Sequence, residues 1–367
     1  MAARLLLFRS GIGPFRLLML AVGVMIAASW FVGCRSQDAD VGPAGDGASD
    51  GAGDGASDGA SDGASDGVVT VTTLPVRSAP AATAPAPAAS PEPGAVSSAD
   101  ADDIADDLRI VPVDGDLAEI VFALGLGDQV VATDISATYP QAADALPEIG
   151  YQRALAAEPI MAFEPTIVLA TDIAGPTETL DALERLGVEV AMIPNDSVAS
   201  GPGDKIRTVA AALGVGARGD RLADAVDAEI DAATARAVGV DDAPRVAVLY
   251  LRGQNVQLLF GEGSGVDWLI EAAGGVDIAD ELGVVDNAPI NAEALLRAAP
   301  DVLVIPARGL ESVGGIDGLL ELPGIAETPA GQQRRILTYD DQFLLGNGPR
   351  TGAFLDQFIT DLHGDIP

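Results

Sequence analysis

The sequence predicts an α/β fold with two similar lobes and a long helical segment between them. Residues 150–170 contain a loop, a short amphipathic segment with Glu158 near its start, and an apolar run that follows Pro165. Residues 291–305 repeat this order, with Glu293 in the place of Glu158 and a proline again seven residues further on. Such a repeat indicates a repeated structural unit. Because short apolar strands alternate with helical patterns, parallel sheets built from βαβ units are predicted.

The folded part is predicted to comprise a first lobe at 104–200, a helical linker at 201–242 and a second lobe at 243–367. In the first lobe, apolar runs and helical spacing predict strands at 109–113, 130–134, 166–170 and 188–193, and helices at 117–124 and 178–186. In the second lobe they predict strands at 245–250, 302–305 and 336–339, and helices at 266–273, 292–298 and 352–363. The helical period runs from 204 to 238 with a glycine-containing break at 214–216, so the linker is predicted to limit hinge motion.

The composition excludes several classes of function. With 20 basic and 55 acidic residues, the formal net charge is -35, which argues against a nucleic-acid partner and favours solubility or salt tolerance. Cys34 and His363 are the single cysteine and the single histidine. A zinc site needs several such ligands, and acid–base catalysis most often uses histidine, so neither is expected.

The N-terminal third predicts export and anchoring. Residues 1–34 combine three arginines, an apolar run and a terminal Gly-Cys pair, and they resemble a bacterial lipoprotein signal in which Cys34 becomes the lipidated first residue. A plain membrane anchor is the alternative. Residues 35–103 are rich in Gly, Ser and Asp and then in Ala and Pro, so they predict a disordered tether. Either interpretation places the folded part outside the cytoplasm.

Four segments carry a resemblance to a known family: RIVPVDGDLAEIVFALGLGDQVVATD, TYPQAADALPEIGYQRALAAEP, RGLESVGGIDGLLELPGIAETPAG and LLGNGPRT. The region 108–363 resembles the substrate-binding proteins of ABC importers for vitamin B12, ferric siderophores and haem, and within them the haemin-binding proteins. The resemblance implies two Rossmann-like α/β lobes joined by a rigid helix, with the ligand cleft between the lobes. It also implies a monomer that binds haem and no catalytic activity.

The resemblance implies a set of haem-binding residues. Tyr151 matches the tyrosine that commonly ligates haem iron in this family, and tyrosinate suits ferric iron. Arg153 lies two residues further on and is expected to bond a propionate or lower the phenol pKa. Tyr250 ends the first strand of the second lobe and is the expected second iron ligand. Arg252 is expected to bond the oxygen of that tyrosine.

Two further arginines are expected to bind the haem propionates. Arg308 and Arg350 follow predicted strands of the second lobe, where open α/β sheets bind ligands. Guanidinium groups clamp carboxylates with two hydrogen bonds. A surface arginine is the alternative for each of them.

The two repeated glutamates are expected to dock the protein on its permease. In the family, one glutamate on each lobe meets permease arginines, and the resemblance implies this role for Glu158 and Glu293. The alternative is a helix-start glutamate that the helix dipole favours.

The sequence therefore predicts a lipid-anchored haem-binding protein of an ABC importer. A ferric-siderophore or corrinoid binding protein of the same class is the first alternative. The second is a tetrapyrrole-acting enzyme on a chelatase-like fold, although the chain has one histidine, His363, and no paired-carboxylate motif with a catalytic context.

Overall fold

The computed structural model describes residues 107–239 and 243–364, which belong to one compact unit. The predicted signal at 1–34, including Cys34, and nearly all of the chain before the first lobe's sheet lie outside the described residues. Within the described ranges, no helix is both long and apolar enough to cross a lipid bilayer.

The first lobe is built on a three-stranded parallel sheet in the order β1-β2-β3. Its strands are β1 (Ile110–Val113), β2 (Ile167–Ala170) and β3 (Glu189–Met192). Its helices are α1 (Gly115–Ala123), α2 (Gln141–Asp144), α3 (Ala157–Met161) and α4 (Thr177–Arg185). Every residue of β1 and β2 is buried, as the apolar runs predict.

The predicted strand at 130–134 is wrong. Val130 makes an isolated bridge to β1, whereas Thr133 makes one to Glu148 in the following loop. The backbone N–H of Val131 donates to the Ile110 carbonyl at 3.0 Å, and the N–H of Thr133 donates to a carbonyl near Glu148 at 3.0 Å. The segment changes partner after two residues, so no continuous ladder forms.

The linker consists of two helices, α5 (Gly201–Ala212) and α6 (Gly216–Ala237), instead of one long helix. Gly214 adopts a φ of 72°, which permits the left-handed conformation that ends α5. The two helices pack side by side, and α14 (Thr351–His363) packs against α6 from the second lobe. The core therefore runs without interruption from β1 and α1 through both linker helices to α14.

The second lobe contains a mixed sheet in the order β7-β5-β4-β8-β9, with β6 also paired to β4. Its strands are β4 (Arg245–Arg252), β5 (Val256–Phe260), β6 (Val276–Asp277), β7 (Asn287–Pro289), β8 (Val302–Pro306) and β9 (Ile336–Tyr339). The pairs of β4 with β6 and β8, and of β8 with β9, are parallel. The antiparallel strands β5 and β7 were not predicted.

The remaining helices of the second lobe are short. They are α7 (Asp267–Ala272), α8 (Ile278–Glu281), α9 (Ala292–Ala298), α10 (Ala307–Ser312), α11 (Gly315–Leu320), α12 (Pro329–Gln333) and α13 (Asp341–Leu345). Side chains at the N-caps of α8, α9, α12 and α13 accept backbone N–H groups. Such caps satisfy groups that a helix leaves free at its start.

The sequence repeat corresponds to a repeated structure. In each lobe a short helix is followed by a residue with positive φ, a proline and a buried strand. Glu164 precedes Pro165 with a φ of 47°, and Ala299 precedes Pro300 with a φ of 47°. Non-glycine residues seldom adopt this conformation, so its occurrence at both equivalent positions shows that the two lobes share one local geometry.

An arginine at the start of a strand braces each copy of the repeat. Arg109, next to β1, donates through Nη2 to a carbonyl two residues after α3 at 2.7 Å. Arg245, the first residue of β4, donates through Nε to the carbonyl of Ala298 at 2.8 Å. The backbone N–H of Arg109 donates to the Thr166 side chain, and the backbone N–H of Arg245 donates to the Asp301 side chain. Each acceptor directly follows the proline of its repeat.

Candidate functional site

Tyr250 and Arg252 lie on one face of β4 near its end. Residues of a strand alternate between faces, and Leu251 between them points into the core. The Tyr250 ring stacks on Phe260 with centroids 5.3 Å apart. The Arg252 guanidinium carbon lies 4.3 Å from the centroid of the Tyr250 ring. The same guanidinium donates to Asp341 Oδ2 at 2.7 Å, so this carboxylate fixes the position of the Arg252 side chain.

Tyr151 lies on a turn that precedes α3. Gly150 has a φ of 106°, and its open surroundings leave the following tyrosine 41% exposed. The turn is held at Gly175, whose N–H donates to the Gln152 carbonyl at 2.8 Å and whose carbonyl accepts from the Leu155 N–H at 2.8 Å. Tyr151 is thus presented by a braced backbone.

The pKa of Tyr250 links these residues of the two lobes. Burial raises it above its ordinary value, and the nearby cation of Arg252 lowers it. Charge on Tyr151 raises the same pKa, and the cation of Arg153 lowers it. Since these effects depend on proximity, the structure brings both predicted tyrosines and both neighbouring arginines into one electrostatic environment.

Arg308 lies at the start of α10, directly after β8. Its backbone N–H donates to Asp341 Oδ1 at 3.1 Å. The side chains of Arg308 and Arg153 are exposed, and neither guanidinium forms an ion pair with a carboxylate in the described part of the chain. Two cations in an acidic protein are therefore left available for an anionic ligand.

Arg350 lies in a different environment from the other predicted arginines. Its Nε and Nη2 donate to the two carboxylate oxygens of Glu119 on α1, each at 2.9 Å. Its guanidinium carbon also lies 3.7 Å from the centroid of the Tyr139 ring. The guanidinium is thus engaged by the first lobe in this structure, which the sequence did not predict. Burial raises the pKa of Glu119, and the bond to Arg350 opposes that rise.

The first lobe buries a group of acidic residues behind this contact. The carboxylate of Asp116 pairs with Lys205, the single lysine of the chain, and both are buried. Burial, and then the charge of Asp116, raise the pKa of Asp114. Burial raises the pKa of Asp134 to about 6. This group is structural in its contacts, since the Ser136 hydroxyl donates to Asp134 at 2.8 Å.

The residues predicted from the sequence did not include Asp341 and Gln342, the first two residues of α13. Asp341 orders both Arg252 and the backbone of Arg308. Gln342 makes its contacts with the first lobe. Their position after the carboxyl end of β9 was the available signal, because open α/β sheets bind ligands at that edge.

Glu158 and Glu293 occupy equivalent positions. Each is the second residue of its helix, α3 or α9, and each is exposed. The structure therefore confirms that the two sequence copies present their glutamates on matching helices. Their docking role stays a prediction.

The family follows from a match to known sequences. A family model described as periplasmic binding protein matches residues 110–343, more than half of the chain. The chain belongs to the periplasmic binding protein family. The matched range begins with β1 and ends within α13, so it includes the elements of both sheets and the linker helices.

Solved structures of two other proteins resemble this periplasmic binding protein over most of their length. Periplasmic heme-binding protein RhuT from Roseiflexus sp. RS-1 is 48% identical with a TM-score of 0.69, and the match covers 70% of this chain and 98% of RhuT. Periplasmic heme-binding protein BhuT in complex with two hemes is 36% identical with a TM-score of 0.64, covering 69% of this chain and 97% of BhuT.

A curated relative matches over a shorter segment. The vitamin B12-binding protein of Vibrio vulnificus (strain YJ016) is 29% identical over 82 residues, which is 22% of this chain. The match spans 30% of that relative's length. The family match and the similar solved structures confirm the predicted α/β architecture and the predicted class of binding protein.

Proposed function

We propose that this periplasmic binding protein captures ferric haem between its two lobes and delivers it to the permease of an ABC importer. The observation that carries the proposal is the pair Tyr151 and Tyr250, which come from different lobes and lie near enough that charge on Tyr151 raises the pKa of Tyr250. Tyrosinate is a known axial ligand of haem iron. The heme-binding names of the two similar solved proteins support the same ligand.

The charges at the site fit a ligand with two carboxylates. Haem carries two propionates, and the guanidinium groups of Arg153 and Arg308 are exposed and form no ion pair within the described residues. We assign these two arginines to the propionates, since guanidinium binds carboxylate through two parallel hydrogen bonds. Arg350 joins them only if a ligand carboxylate displaces Glu119 from its present pair.

Arg252 favours the ligating form of Tyr250 against the effect of burial. Iron binds the deprotonated phenol, whereas burial keeps Tyr250 protonated in the free protein because it raises the pKa. The cation of Arg252, 4.3 Å from the ring centroid, favours the phenolate. Asp341 holds that guanidinium in place. We therefore propose Tyr151 and Tyr250 as iron ligands and Arg252 as the residue that stabilises the Tyr250 phenolate.

We also propose the membrane attachment and the permease contact that the sequence predicted. Lipidation of Cys34 would anchor the chain at the outer face of the cell membrane, with residues 35–103 as the tether and the protein as a monomer. Glu158 and Glu293, exposed on equivalent helices, would each meet arginines of the permease. Charge reversal at either glutamate should reduce haem uptake by cells and leave haem affinity unchanged.

The experiment that tests haem binding is an absorbance titration of the purified full chain with ferric haemin. The wild type is compared with Tyr151→Phe, Tyr250→Phe and the double variant. Tyr139→Phe is the matched control, because it removes a phenol from a neighbouring loop and keeps the ring that lies under Arg350.

We expect saturable binding with a tyrosinate-to-iron charge-transfer band in the wild type and in the control. The band should change in each single variant and disappear in the double variant. The vitamin B12 relative motivates a parallel titration with cyanocobalamin. If haemin does not saturate the wild type and cyanocobalamin does, the haem assignment is wrong and the corrinoid alternative replaces it.

A further inference from the structure

The first two residues of α13 contact different lobes. The Asp341 carboxylate accepts from the Arg252 guanidinium at 2.7 Å and from the backbone N–H of Arg308 at 3.1 Å. Both donors belong to the second lobe, and Arg252 covers the ring of Tyr250. Asp341 therefore fixes the part of the candidate site that the second lobe contributes.

Gln342, the next residue, is buried and makes six hydrogen bonds to the first lobe. Its amide oxygen accepts from the backbone N–H groups of Thr138 and Tyr139 at 2.8 and 2.9 Å and from the Thr138 hydroxyl at 3.2 Å. Its amide nitrogen donates to the carbonyls of Gly115 and Tyr139 at 2.8 and 3.0 Å and to Glu119 Oε2 at 3.1 Å. One side chain thus joins α13 to both α1 and the loop before α2.

The fit at this contact is close. A Cβ atom at Gly115 would lie 3.0 Å from the Gln342 side-chain amide carbon and 2.5 Å from the Ser136 carbonyl oxygen. The pair of Arg350 with Glu119 lies beside the same amide and also joins the lobes. Since Asp341 and Gln342 are consecutive in one helical turn, a displacement of one moves the other.

We propose that Asp341 and Gln342 are positioning residues that fix the Tyr250 half of the ligand site relative to the first lobe, and hence relative to Tyr151. This inference rests on the proposed function, because it concerns a ligand held from both lobes. The backbone of α13 couples the two tasks. Asp341 orders Arg252 over Tyr250. Gln342 fixes the position of α13, and with it of Arg252 and Tyr250, relative to the first lobe.

The chemistry of the contact specifies the test. The Gln342 amide nitrogen shares its two N–H hydrogens among three oxygen acceptors, and its oxygen accepts from three donors, which requires a group with both functions. Gln342→Glu has nearly the same shape but turns a carboxylate oxygen toward those acceptors, one of which is Glu119. Like charges and unpaired acceptors in a buried site are unfavourable, so the lobes should shift apart there.

The full chain carrying Gln342→Glu is titrated with ferric haemin. We expect the variant to keep its circular dichroism spectrum and to lose about tenfold in haem affinity, within the range typical of coupled sites. Its charge-transfer band should move toward that of a single-tyrosine variant. Asp341→Asn, which keeps the acceptor for Arg308 and removes the charge beside Arg252, should change the same band. Gln332→Glu is the matched control, since Gln332 is exposed and bonds only within its own lobe.

A double-variant cycle separates positioning from general stability. If Gln342 acts by bringing both tyrosines to one ligand, Gln342→Glu should have little further effect on haem affinity once Tyr151→Phe has removed the first-lobe ligand. Equal effects in both backgrounds would overturn the proposal. So would an unchanged haem spectrum in a variant whose melting temperature has fallen.

A distance measurement works without haem. Spin labels at Glu178→Cys and Glu321→Cys, one exposed site on each lobe, are placed in a Cys34→Ser chain. Gln342→Glu should shift or broaden the distance distribution, and Gln332→Glu should not. An unchanged distribution contradicts the positioning role even if wild-type haem binding holds. If the distance distribution shifts but the wild type does not bind haemin, the role of Gln342 in positioning the lobes stands and the haem function is refuted.

Discussion

The close contact of the two linker helices gives a prediction whose size follows from one distance. Gly219 on α6 faces Ala210 on α5, and a Cβ atom at 219 would lie 2.2 Å from the Cβ of Ala210. Ordinary contacts of this kind begin at 3.4 Å. A Cβ cannot rotate out of the way, so Gly219→Ala must push α5 and α6 apart by about 1 Å at this point.

Two effects of opposite sign determine the change in stability. Overpacking of a tight contact costs about 1–3 kcal/mol, and the upper end applies because both atoms are fixed to backbones. Alanine gains about 1 kcal/mol over glycine in a helix interior. Gly219→Ala should therefore lower the free energy of unfolding by about 2 kcal/mol.

Gly216→Ala is the control on the same helix, because a Cβ there meets no atom within 4 Å. Urea unfolding of both variants, followed by circular dichroism, measures the difference. With a slope of about 2 kcal/mol/M, Gly219→Ala should shift the midpoint down by about 1 M, and Gly216→Ala should leave it unchanged or raise it. Equal midpoints for the two variants would refute the close packing of the linker helices.

Three further predictions concern ionisation. Burial raises the pKa of Asp277 to about 7, so the stability present at low pH falls as pH rises from about 4 to about 7. Asp277→Asn keeps the helix cap and should stabilise the protein by about 1 kcal/mol at pH 8.5 but little at pH 4 in urea unfolding. Arg252→Gln should raise the pKa of Tyr250 further, which ultraviolet titration of the phenol measures. Haemin affinity should increase with pH between 6.5 and 8.5, because ligation by Tyr250 or Tyr151 releases a proton; a flat profile contradicts tyrosinate ligation.

The sequence was sufficient for features that local pattern determines. The repeated glutamate and proline identified both helix-to-strand units, because each unit is fixed within a dozen residues. The positive φ of Glu164 and Ala299 could not be read from residue type, since neither residue favours it. The long-range braces from Arg109 and Arg245 impose that geometry from a strand more than fifty residues away.

The errors in the fold prediction have a common physical origin. Strand β5 and segment 130–134 both contain apolar residues with strand propensity, yet one forms a strand and the other does not. β5 finds a continuous antiparallel partner in β4, whereas residues 130–134 meet two different partners. Pairing across the chain, and not local propensity, separates the two. The break between α5 and α6 was visible as Gly214, and its consequence is a packed helical pair.

Arg308 and Arg350 show how far a site can be predicted from residue type. Both follow strands of the second lobe in loops with glycine, and the sequence assigned them the same ligand. The structure separates them, because Glu119 from α1 accepts from Nε and Nη2 of Arg350. Gln342 donates to the same glutamate. An interaction between residues 231 positions apart leaves no trace in local sequence.

The different environments of these arginines indicate two different roles at the candidate site. A ligand that bridges two lobes needs cations that are free to meet it and other contacts that hold the lobes in register. Arg350 serves the second purpose through its pair with Glu119, whose side chain is buried. Arg153 and Arg308, exposed on opposite lobes, remain for the first. We therefore expect the two available guanidinium groups to meet the carboxylates of a haem and the two tyrosines to meet its iron.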